Sequence, residues 1–559
     1  MNDPMNTRLI ECVPNFSEGR DKQVIDAITS AVCSVEGVKL LNVDPGAATN
    51  RTVVTFVGCP EAVVEAAFRA IRTAASVIDM RKHQGAHPRI GATDVCPLIP
   101  VSGITMEETV EYARSLARRV GEELGIPVYC YEKAAMSEIR SNLAVCRAGE
   151  YEGLAKKLQS PLWKPDFGPG DFTENVAKTG LTVIGARDFL VAANFNLNTT
   201  SVRRANSIAF DVREKGRKVI VDGKETVQPG SLKSCKAIGW FIEEYGIAQV
   251  SMNLTDIGVT PLHVAFDEVC ARASARGMRV TGTELVGLIP RRTLLEAGRY
   301  FLHKQQRSSG LPEEELIATA VRSMGLNDLR PFNPREKVLE YLLEDGISGK
   351  QKLVSLSCRS FALETASESP APGGGSVSAY MGTLAASLGT MVANLSSHKK
   401  GWDERWAFFS DWAEKGQALV SELLFLVDED TASFNRIMDA FSLPKSNEEE
   451  KVARSAAIQE ATLYATRIPL RTMSAACKCF DIVDAMVREG NPNSVTDAGV
   501  GALAALAAVK GAYLNVRINA AGLKDKTVAA SLTESAEELL KEAVDKEMNI
   551  WKQINEKIA

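Results

Sequence analysis

The sequence is poor in the features that mark secreted, membrane and nucleic-acid-binding proteins. Its eleven cysteines are spread singly along 559 residues, apart from Cys477 and Cys479, so neither zinc-ligand spacing nor a disulfide scaffold is indicated. The formal net charge of -5 gives no overall attraction to nucleic acid or to an acidic membrane surface. The N-terminal MNDPMNTRLIECV has no basic segment followed by an apolar one, and we identify no apolar run of roughly 18 residues. We therefore expect a cytoplasmic protein with reduced thiols that binds neither membranes nor nucleic acid.

The length and composition of the sequence are typical of a globular protein with several domains. A chain of 559 residues exceeds the size at which one hydrophobic core stops growing, which predicts roughly two to four domains. Hydrophobic residues make up 45% and charged residues 24%, as in globular proteins rather than disordered or fibrous ones.

The first half of the chain alternates β-type runs with amphipathic helical patterns. From LIECVPN to DVCPLIPV the order is βαββαβ, which predicts a ferredoxin-like sheet whose helices cover one face. After the Pro- and Gly-rich stretch PLWKPDFGPGDF, a similar order is indicated by the runs VAANFNLNT, CKAIGWFI, IAQVSMNL and RVTGTELVGLIP. We predict two α+β ferredoxin-like subdomains, residues 1–189 and 190–343, with a ligand-binding cleft between them.

A polar, Gly-containing stretch at residues 344–352 predicts a linker, because strand signals almost disappear after it. Residues 353–559 have the pattern of long helices rich in Ala, Leu and Val, which predicts an all-α helical bundle domain. Many small residues let the helices approach closely and leave room for a pocket. Extensive apolar faces of small residues also invite partners, so we expect a homo-oligomer.

The segment KHQGAHPRIGATD predicts a loop that carries histidines, because Gly85, Pro88 and Gly91 exclude a continuous helix through His83 and His87. A neutral imidazole can accept or donate a proton near pH 7, which makes a loop histidine a candidate acid–base group. A histidine that is only hydrogen-bonded to backbone is the more common case. The loop, and the lack of the glutamate of HExxH motifs, disfavour zinc, so we expect no metal.

Two aspartates are candidates for orienting such an imidazole. Asp44 lies in NVDPG, and Asp94 lies at the start of a predicted strand. Either residue is equally compatible with a turn or capping role.

Two glycine-rich loops are candidate ligand-binding elements. DFGPGDF could place backbone amides and an aromatic ring against a flat ligand, although such loops more often only turn the chain. PAPGGGSVSAY brings three glycines to the start of a helix, where N–H groups could meet a carboxylate, a heterocyclic carbonyl or a phosphate; a serine-capped helix start is the alternative. ATP binding is disfavoured because the GK[ST] continuation is absent. The candidate residues are Gly168, Pro169, Gly170, Phe172, Gly373, Gly374, Gly375 and Ser376.

Asp430 is the most unusual position by periodicity, because it falls on the apolar face of its predicted helix. A carboxylate on a buried face must be paired, neutralised or used, and burial would raise its pKa, which suits a general acid or base. A structural ion pair is an equally compatible explanation. Asp428 and Glu429 are expected to point elsewhere as solvated charges. The apolar residues of the face are Leu423, Val427, Phe434, Ile437 and Phe441.

Asn515 and Asn519 are four residues apart on a later predicted helix, beside Tyr513. The two amides could line the same pocket as Asp430. They could also do no more than join helices by hydrogen bonds.

Several long motifs, taken in order, resemble a known enzyme family. Motifs similar to those of formimidoyltransferase are ECVPNFSEGR, TNRTVVTFVG, HPRIGATDVCPLIP, KPDFGP and GWFIEEYGIAQVSMNLTD. Motifs similar to those of its cyclodeaminase partner are SPAPGGGSVSAYMGTLAASLGTMVANL, LVDEDTASFNRIM, FSLPK and GAYLNVRIN. Nearly the whole chain, in this order, resembles the bifunctional formimidoyltransferase-cyclodeaminases.

The resemblance implies two steps of histidine degradation. The formimino group passes from N-formimino-L-glutamate to tetrahydrofolate, a polyglutamylated co-substrate, and 5-formimidoyltetrahydrofolate then cyclises to 5,10-methenyltetrahydrofolate with release of ammonia. By motif, His87 corresponds to the transferase acid–base residue and Asp430 to the cyclodeaminase carboxylate. Gly168 to Gly180 corresponds to the folate-binding segment, and Lys445 is a candidate for binding the folate tail.

Two alternatives remain open at this point. The helical domain also resembles free-standing methenyltetrahydrofolate cyclohydrolases, for which water rather than loss of ammonia defines the reaction. One domain could instead be inactive and serve as a folate-binding scaffold.

Overall fold

The computed structural model describes residues 8–47, 49–85, 87–221, 224–347 and 352–559. These form two compact units. The first unit contains the described residues up to Leu294 together with Val321–Ile347, and the second contains Leu295–Ala320 and 352–559. The predicted linker lies partly outside the described residues, at positions 348–351. The predicted order of an α/β N-terminal region and a largely helical C-terminal region is confirmed.

The N-terminal half of the first unit is built on a seven-stranded sheet. Its strands are β1 (Leu9–Cys12), β2 (Asn15–Phe16), β3 (Val38–Gly46), β4 (Arg51–Gly58), β5 (Thr93–Ser102), β6 (Val128–Glu132) and β7 (Thr182–Ala186). The accompanying helices are α1 (Lys22–Cys33), α2 (Pro60–Val77), α3 (Met106–Leu124), α4 (Leu143–Cys146), α5 (Leu154–Leu158) and α6 (Glu174–Thr179). Antiparallel pairing gives the spatial order β3, β4, β1 with its continuation β2, then β5. Strands β7 and β6 extend the sheet by parallel pairing, and β7 is not predicted by the sequence patterns.

Alternation along β1 decides which side chains enter the core of this half. Ile10 and Cys12 point into the apolar cluster formed with α1 and α2, whereas Glu11 points to the opposite face of the sheet. Helix α1 begins at Asp21, whose carboxylate accepts the N–H of Gln23.

A second, four-stranded sheet forms the other half of the first unit. From β8 to residue 347 the elements are β8 (Val191–Leu197), α7 (Val202–Val212), β9 (Arg217–Val221), β10 (Lys224–Gln228), β11 (Cys235–Ile242), β12 (Ile247–Leu254), α8 (Leu262–Ser274), β13 (Val280–Val286), α9 (Arg291–Lys304), α10 (Glu313–Met324), α11 (Pro334–Lys337) and α12 (Leu339–Ile347). Most of α9 and α10 belongs to the second unit. The sheet is antiparallel in the order β11, β12, β8, β13, and these strands lie within the four predicted runs. Strands β9 and β10 form a separate hairpin.

The second unit contains long helices, and 352–559 includes no strand among its described residues. The helices of 352–559 are α13 (Cys358–Thr365), α14 (Gly374–Ser397), α15 (Trp406–Ser442), α16 (Glu448–Glu489), α17 (Val495–Ala521) and α18 (Lys526–Ile558). Helix α14 packs against α15 and α17, and α16 packs against α15, α17 and α18. Small residues permit this close packing: a Cβ on Gly389 would lie 3.0 Å from Ile482.

Helix α17 is long and apolar enough to cross a membrane by length and composition alone. Within the described part of the chain it is the one helix that meets this test, over Pro492–Ala521 with a mean hydropathy of 1.4. This is weak evidence, because core helices of globular proteins meet the same test, and α17 packs against α14, α16 and α18. Its apolar character comes largely from alanine and glycine.

A proline inside α16 explains the role of Asn519, one of the two candidate asparagines on α17. Pro469 has no N–H to donate to the carbonyl group four residues before it. Asn519 supplies the missing donor, since its Nδ2 lies 2.8 Å from the carbonyl oxygen of Ala465. Asn519 therefore joins two helices by a hydrogen bond.

Burial of Glu11 predicts a pH-dependent stability. Its side chain is 4% exposed, and burial raises its pKa from 4.5 to about 7 even though Arg187 lowers it. Between these pH values the folded chain binds the proton more tightly than the unfolded chain. The free energy of unfolding therefore falls as pH rises from 4.5 through 7, by about 3 kcal/mol in the limit.

We expect Glu11→Gln to raise Tm at pH 8 and to change it little at pH 5, because the variant removes a charge that is costly only when ionised. Calorimetry at both pH values measures the difference, with Glu122→Gln, an exposed glutamate of α3, as the matched control. An equal change in Tm at the two pH values would rule out this role for Glu11.

Candidate functional site

His87 lies in the loop between α2 and β5 and presents one ring nitrogen as a proton acceptor. Its Nδ1 lies 2.7 Å from the carbonyl oxygen of Pro88. A carbonyl oxygen can only accept, so Nδ1 donates and Nε2 keeps the lone pair of the neutral ring. Burial, Arg51 and Arg147 lower the pKa of His87 to about 3, whereas Asp94 acts in the opposite direction. The imidazole is therefore neutral near pH 7.

Asp94 is the fixed centre of this region, and its side chain is fully buried. Its carboxylate pairs with the guanidinium groups of Arg51 and Arg147. Its Oδ1 also accepts the N–H of Ile90 at 3.1 Å, which ties the histidine loop to β5. Asp94 is thus the anion of a buried ion-pair cluster, a role different from the turn or imidazole-orienting roles considered from the sequence. Two cations and one anion leave this cluster with one excess positive charge.

His83 is held by hydrogen bonds that fix the loop. Its Nε2 donates to the carbonyl oxygen of Asn50 at 2.9 Å, and its Nδ1 accepts from Arg89 at 3.2 Å. Burial lowers the pKa of His83, so the ring is neutral. The same loop borders an open cleft of about 460 Å³ that is lined by Gln84, Gly85, Arg89, Gly149, Glu150 and Glu152.

The segment predicted to bind folate reaches the histidine loop at its C-terminal end. Gly180 bridges to Gly91, has a φ of +70°, and leaves no space for a Cβ because it would overlap the carbonyl oxygen of Ile90. Gly168 has a φ of +83° and lies instead against Ile126, just beyond the C-terminus of α3. Of this segment, the structure brings Gly180 to the loop that carries His87.

The remaining candidates of the first unit are more exposed. Phe172 is 40% exposed, and Gly170 has open space where a Cβ would be. Pro169 is half-buried beside them. Asp44 is half-buried in β3 opposite Val53 of β4.

In the second unit, the glycine-rich loop and Asp430 meet at the N-terminus of α14. The hydroxyl of Ser376 lies 2.9 Å from the carbonyl oxygen of Val427 and 3.1 Å from Oδ2 of Asp430. Gly375 permits this approach, because a Cβ there would overlap the Asp430 carboxylate. A Cβ on Gly374 would lie 3.5 Å from the side-chain amide of Asn515.

Gly375 and Ser376 thus lie against the Asp430 carboxyl group, Gly374 lies beside Asn515, and Gly373 is the N-cap of the same helix. Burial raises the pKa of Asp430, although hydrogen bonds from the side chain and the backbone of Ser376 lower it. The carboxyl group therefore keeps its proton to a higher pH than an exposed aspartate does, which suits a general acid.

The expectation that Asp428 and Glu429 are solvated charges is wrong. Glu429 is 8% exposed, accepts the hydroxyl of Tyr464 at 2.6 Å and pairs with Arg436 at 3.3 Å. Asp428 accepts the N–H of Leu353 at 2.7 Å, and burial raises its pKa. Helix α15 is covered on more than one side, by α14 and α16, so its buried surface is wider than one stripe.

The prediction of a buried apolar face on α15 is also wrong for the residues beyond Asp430. Leu423 and Val427 are fully buried, but Phe434 is 41% exposed and Phe441 is 50% exposed. The periodicity continues past the point at which neighbouring helices cover the face. Sequence spacing alone does not indicate where that cover ends.

Lys445 follows α15 and lies in a basic cleft of about 440 Å³. Three other cations share this cleft, and no motif in the sequence singles them out, because they come from α16 and from the turn after α17. The cleft is lined by Lys445, Lys451, Arg454, Ser455, Ile458, Gln459 and Lys524.

Sequence reasoning missed the two cations beside His87. Arg51 and Arg147 are 43 and 53 residues from Asp94 in the chain, so no local spacing connects them. A buried aspartate would have implied cationic partners without identifying them. Across the part of the chain that the structure describes, no group of three or more His, Cys, Asp or Glu side chains is placed to hold a metal ion.

The environment of His87 predicts an unusual titration. We expect the His87 ring to remain neutral with a proton on Nδ1 down to pH 5, because burial and two cations oppose protonation. Arg147→Gln should raise the pKa of His87, since it removes one positive neighbour. With five histidines in the chain, NMR of labelled histidine can follow each ring, and the exposed Arg118→Gln is the control. Titration of His87 near 6.5 in the unaltered chain would contradict this account.

Three family sequence models match successive parts of the chain. The formiminotransferase domain, N-terminal subdomain, matches residues 9–187, and the formiminotransferase domain matches 192–344. Formiminotransferase-cyclodeaminase matches residues 357–538.

Curated relatives match the same layout. The formimidoyltransferase-cyclodeaminase of Gallus gallus is 44% identical over 96% of this chain and 97% of its own length. A glutamate formimidoyltransferase of Thermoplasma acidophilum is 43% identical over 53% of this chain and 92% of its own length. A methenyltetrahydrofolate cyclohydrolase of Methylorubrum extorquens is 37% identical over 34% of this chain and 93% of its own length. The chain belongs to the formimidoyltransferase-cyclodeaminase family.

Proposed function

We propose that this chain catalyses two consecutive folate-dependent steps of histidine degradation. It transfers the formimino group from N-formimino-L-glutamate to tetrahydrofolate, and it then cyclises 5-formimidoyltetrahydrofolate to 5,10-methenyltetrahydrofolate with release of ammonia. The supporting observation is that each family-matched region holds one group suited to proton transfer. These groups are Nε2 of His87 and the half-buried carboxyl group of Asp430.

His87 is the acid–base group of the transfer step. N5 of tetrahydrofolate attacks the formimino carbon, and Nε2 of His87 accepts the N5 proton. The bond between the formimino carbon and the glutamate nitrogen then breaks, and the same imidazole returns the proton to that nitrogen. A ring that is neutral at the start is required for the first of these transfers.

Asp430 serves the cyclisation. N10 attacks the formimino carbon and loses its proton, the carbon–nitrogen bond of the amino group breaks, and ammonia leaves. The leaving nitrogen must gain protons, which the carboxyl group of Asp430 can deliver because burial raises its pKa. Gly375 and Ser376 hold the carboxyl group in place.

The folate ligand is polyglutamylated, and its carboxylates bind in the cleft that contains Lys445. Residues 430 to 442 of α15 span about 18 Å at the rise of an α-helix, so the basic cleft lies well beyond the reacting carbon. Carboxylates of a folate tail are at the far end of the ligand from its reacting atoms. Four cations in one cleft favour such a chain of carboxylates.

The first unit binds the pterin through the segment from Gly168 to Gly180, with Phe172 as an apolar wall and Asp44 at the sheet edge. The contact of Gly180 with the histidine loop supports this role, because it connects the segment to His87. Both halves of the unit are ferredoxin-like subdomains, 1–189 and 190–343. The strand orders β5-β1-β4-β3 and β13-β8-β12-β11 support this assignment.

The chain is a cytoplasmic homo-oligomer that associates through its helical domain, 353–559. Two neighbouring helices, α14 and α17, expose large apolar side chains, and such a surface favours a partner. These side chains are Leu384, Met391, Leu395, Val500, Leu503, Leu514 and Ile518. The cysteine spacing, which lacks the pattern of a disulfide scaffold, supports a reducing compartment.

Purified full-length protein given N-formimino-L-glutamate and tetrahydrofolate should form 5,10-methenyltetrahydrofolate and one ammonia per turnover. The absorbance of the methenyl product and an ammonia assay measure the two yields. Hydrolysis of added 5,10-methenyltetrahydrofolate, with no ammonia released from 5-formimidoyltetrahydrofolate, would favour the cyclohydrolase activity for which the Methylorubrum extorquens relative is named. Binding of tetrahydrofolate without turnover would favour a scaffold.

Gly375→Ala is expected to lower cyclisation roughly 100-fold or more, because the added Cβ would overlap the Asp430 carboxylate and displace the proton donor. Gly374→Ala is the matched control, since its Cβ makes only an ordinary contact with Asn515. Transfer to tetrahydrofolate should be unchanged in both variants. Equal cyclisation rates for the two variants would contradict the proposed position of the acid.

A further inference from the structure

The excess positive charge beside His87 has few protein anions to balance it. The side chains of Arg51 and Arg147 are 9% and 14% exposed, and they share the single carboxylate of Asp94. Arg147 directs Nε and Nη2 to that carboxylate, and a guanidinium has further N–H donors. A buried cation without a full counter-charge is costly, so the cluster is suited to receive an anion from a ligand.

A third cation, from the second sheet of the first unit, lies near the cluster of Arg51, Arg147 and Asp94. Lys236, on β11, donates from Nζ to Oδ1 of Asn142 at 3.1 Å. Asn142 caps the N-terminus of α4, and Arg147 is the residue at its other end. Burial lowers the pKa of Lys236, Arg147 lowers it further, and Glu132 raises it. Lys236 thus lies at one end of the four-residue helix α4, and Arg147 lies at its other end.

Glu132 is a weak counter-ion for this pair. Burial raises the pKa of Glu132, so its carboxylate is less readily ionised than an exposed one. The charged groups around this point include the cations Arg51, Arg147 and Lys236, against Asp94 and Glu132. Arg187 and Lys133 are two further cations that act on Glu132. The local balance is positive in a chain whose formal net charge is -5.

The chemistry of transfer identifies which anion belongs here. In N-formimino-L-glutamate the α-carboxylate is two covalent bonds from the nitrogen that leaves, and His87 must reach that nitrogen. The glutamate of the folate is on the far side of the aminobenzoyl ring from N5. A cationic pocket beside His87 can therefore meet a carboxylate of the donor but not the folate tail.

We propose that Arg147 and Lys236 form the subsite for a carboxylate of the formimino-donating glutamate, with Asp94, which also pairs with Arg51, holding Arg147 in position. This proposal rests on the transferase function proposed above. Because the two cations come from the two halves of the first unit, a bound donor carboxylate joins those halves. It also cancels part of the positive charge that opposes protonation of His87, so the imidazole becomes a stronger base when the donor is bound.

Steady-state kinetics of the full-length enzyme test the subsite. Lys236→Met should raise KM for N-formimino-L-glutamate about tenfold or more and leave KM for tetrahydrofolate within about twofold. Lys236→Arg should restore most of the donor affinity. The matched control is Lys233→Met, which removes another exposed lysine next to β11. Equal increases in KM for both substrates, or no increase for either, would overturn the proposal.

Product analogues show whether a carboxylate is the group bound. The amide that replaces the bound carboxylate, either the α-amide or the γ-amide, should inhibit the unaltered enzyme less strongly than L-glutamate does. Lys236→Met should abolish this preference for L-glutamate. A preference that persists in Lys236→Met would contradict the subsite. Arg147→Gln should weaken L-glutamate binding in the same way, with its Tm measured because Asp94 loses a partner.

Calorimetric binding of L-glutamate separates the two proposals. If the unaltered enzyme does not turn over N-formimino-L-glutamate but binds L-glutamate in a Lys236-dependent manner, the transferase function fails and the subsite stands. If turnover is normal and L-glutamate binding is the same in Lys236→Met, the subsite fails and the function stands.

Discussion

The burial of Asp94 between two arginines is the interaction on which the first unit depends. A carboxylate that is removed from water must be matched by cations and hydrogen bonds, and Arg51, Arg147 and the N–H of Ile90 provide them. The same contacts join β4, β5, the end of α4 and the histidine loop. They also set the charge around His87, which keeps its imidazole neutral and available as a base.

In the second unit the carboxyl group of Asp430 is also shielded from water, but the effect on its pKa is different. Asp430 meets the N-terminus of α14 and the hydroxyl of Ser376, and burial has the larger effect on its pKa, which is raised. One unit therefore lowers the proton affinity of a histidine, and the other increases that of an aspartate. These opposite environments suit the base proposed for the first step and the acid proposed for the second.

Local sequence patterns predict the parts of this structure that depend on local physics. The strands of the second sheet and the placement of Gly375 and Ser376 at a helix start follow from periodicity and turn chemistry. Local patterns do not predict contacts between segments that are distant in the chain. The cations beside Asp94, the cover over Glu429, the exposure of Phe434 and the pairing of Asn519 with the proline-interrupted helix all depend on contacts that no local spacing encodes.

The central claim is that two chemical steps occur at two separate sites, each with one proton-transfer group. The most direct test measures ammonia and methenyl formation by full-length His87→Ala, by full-length Asp430→Asn, and by an equimolar mixture of the two. Each variant alone should fail in the overall conversion, with its own step slowed by roughly 100-fold or more. The mixture should recover the conversion after a lag, as released 5-formimidoyltetrahydrofolate passes from the Asp430→Asn protein to the His87→Ala protein. A folded variant that loses both steps, or a mixture that stays inactive, would contradict the account.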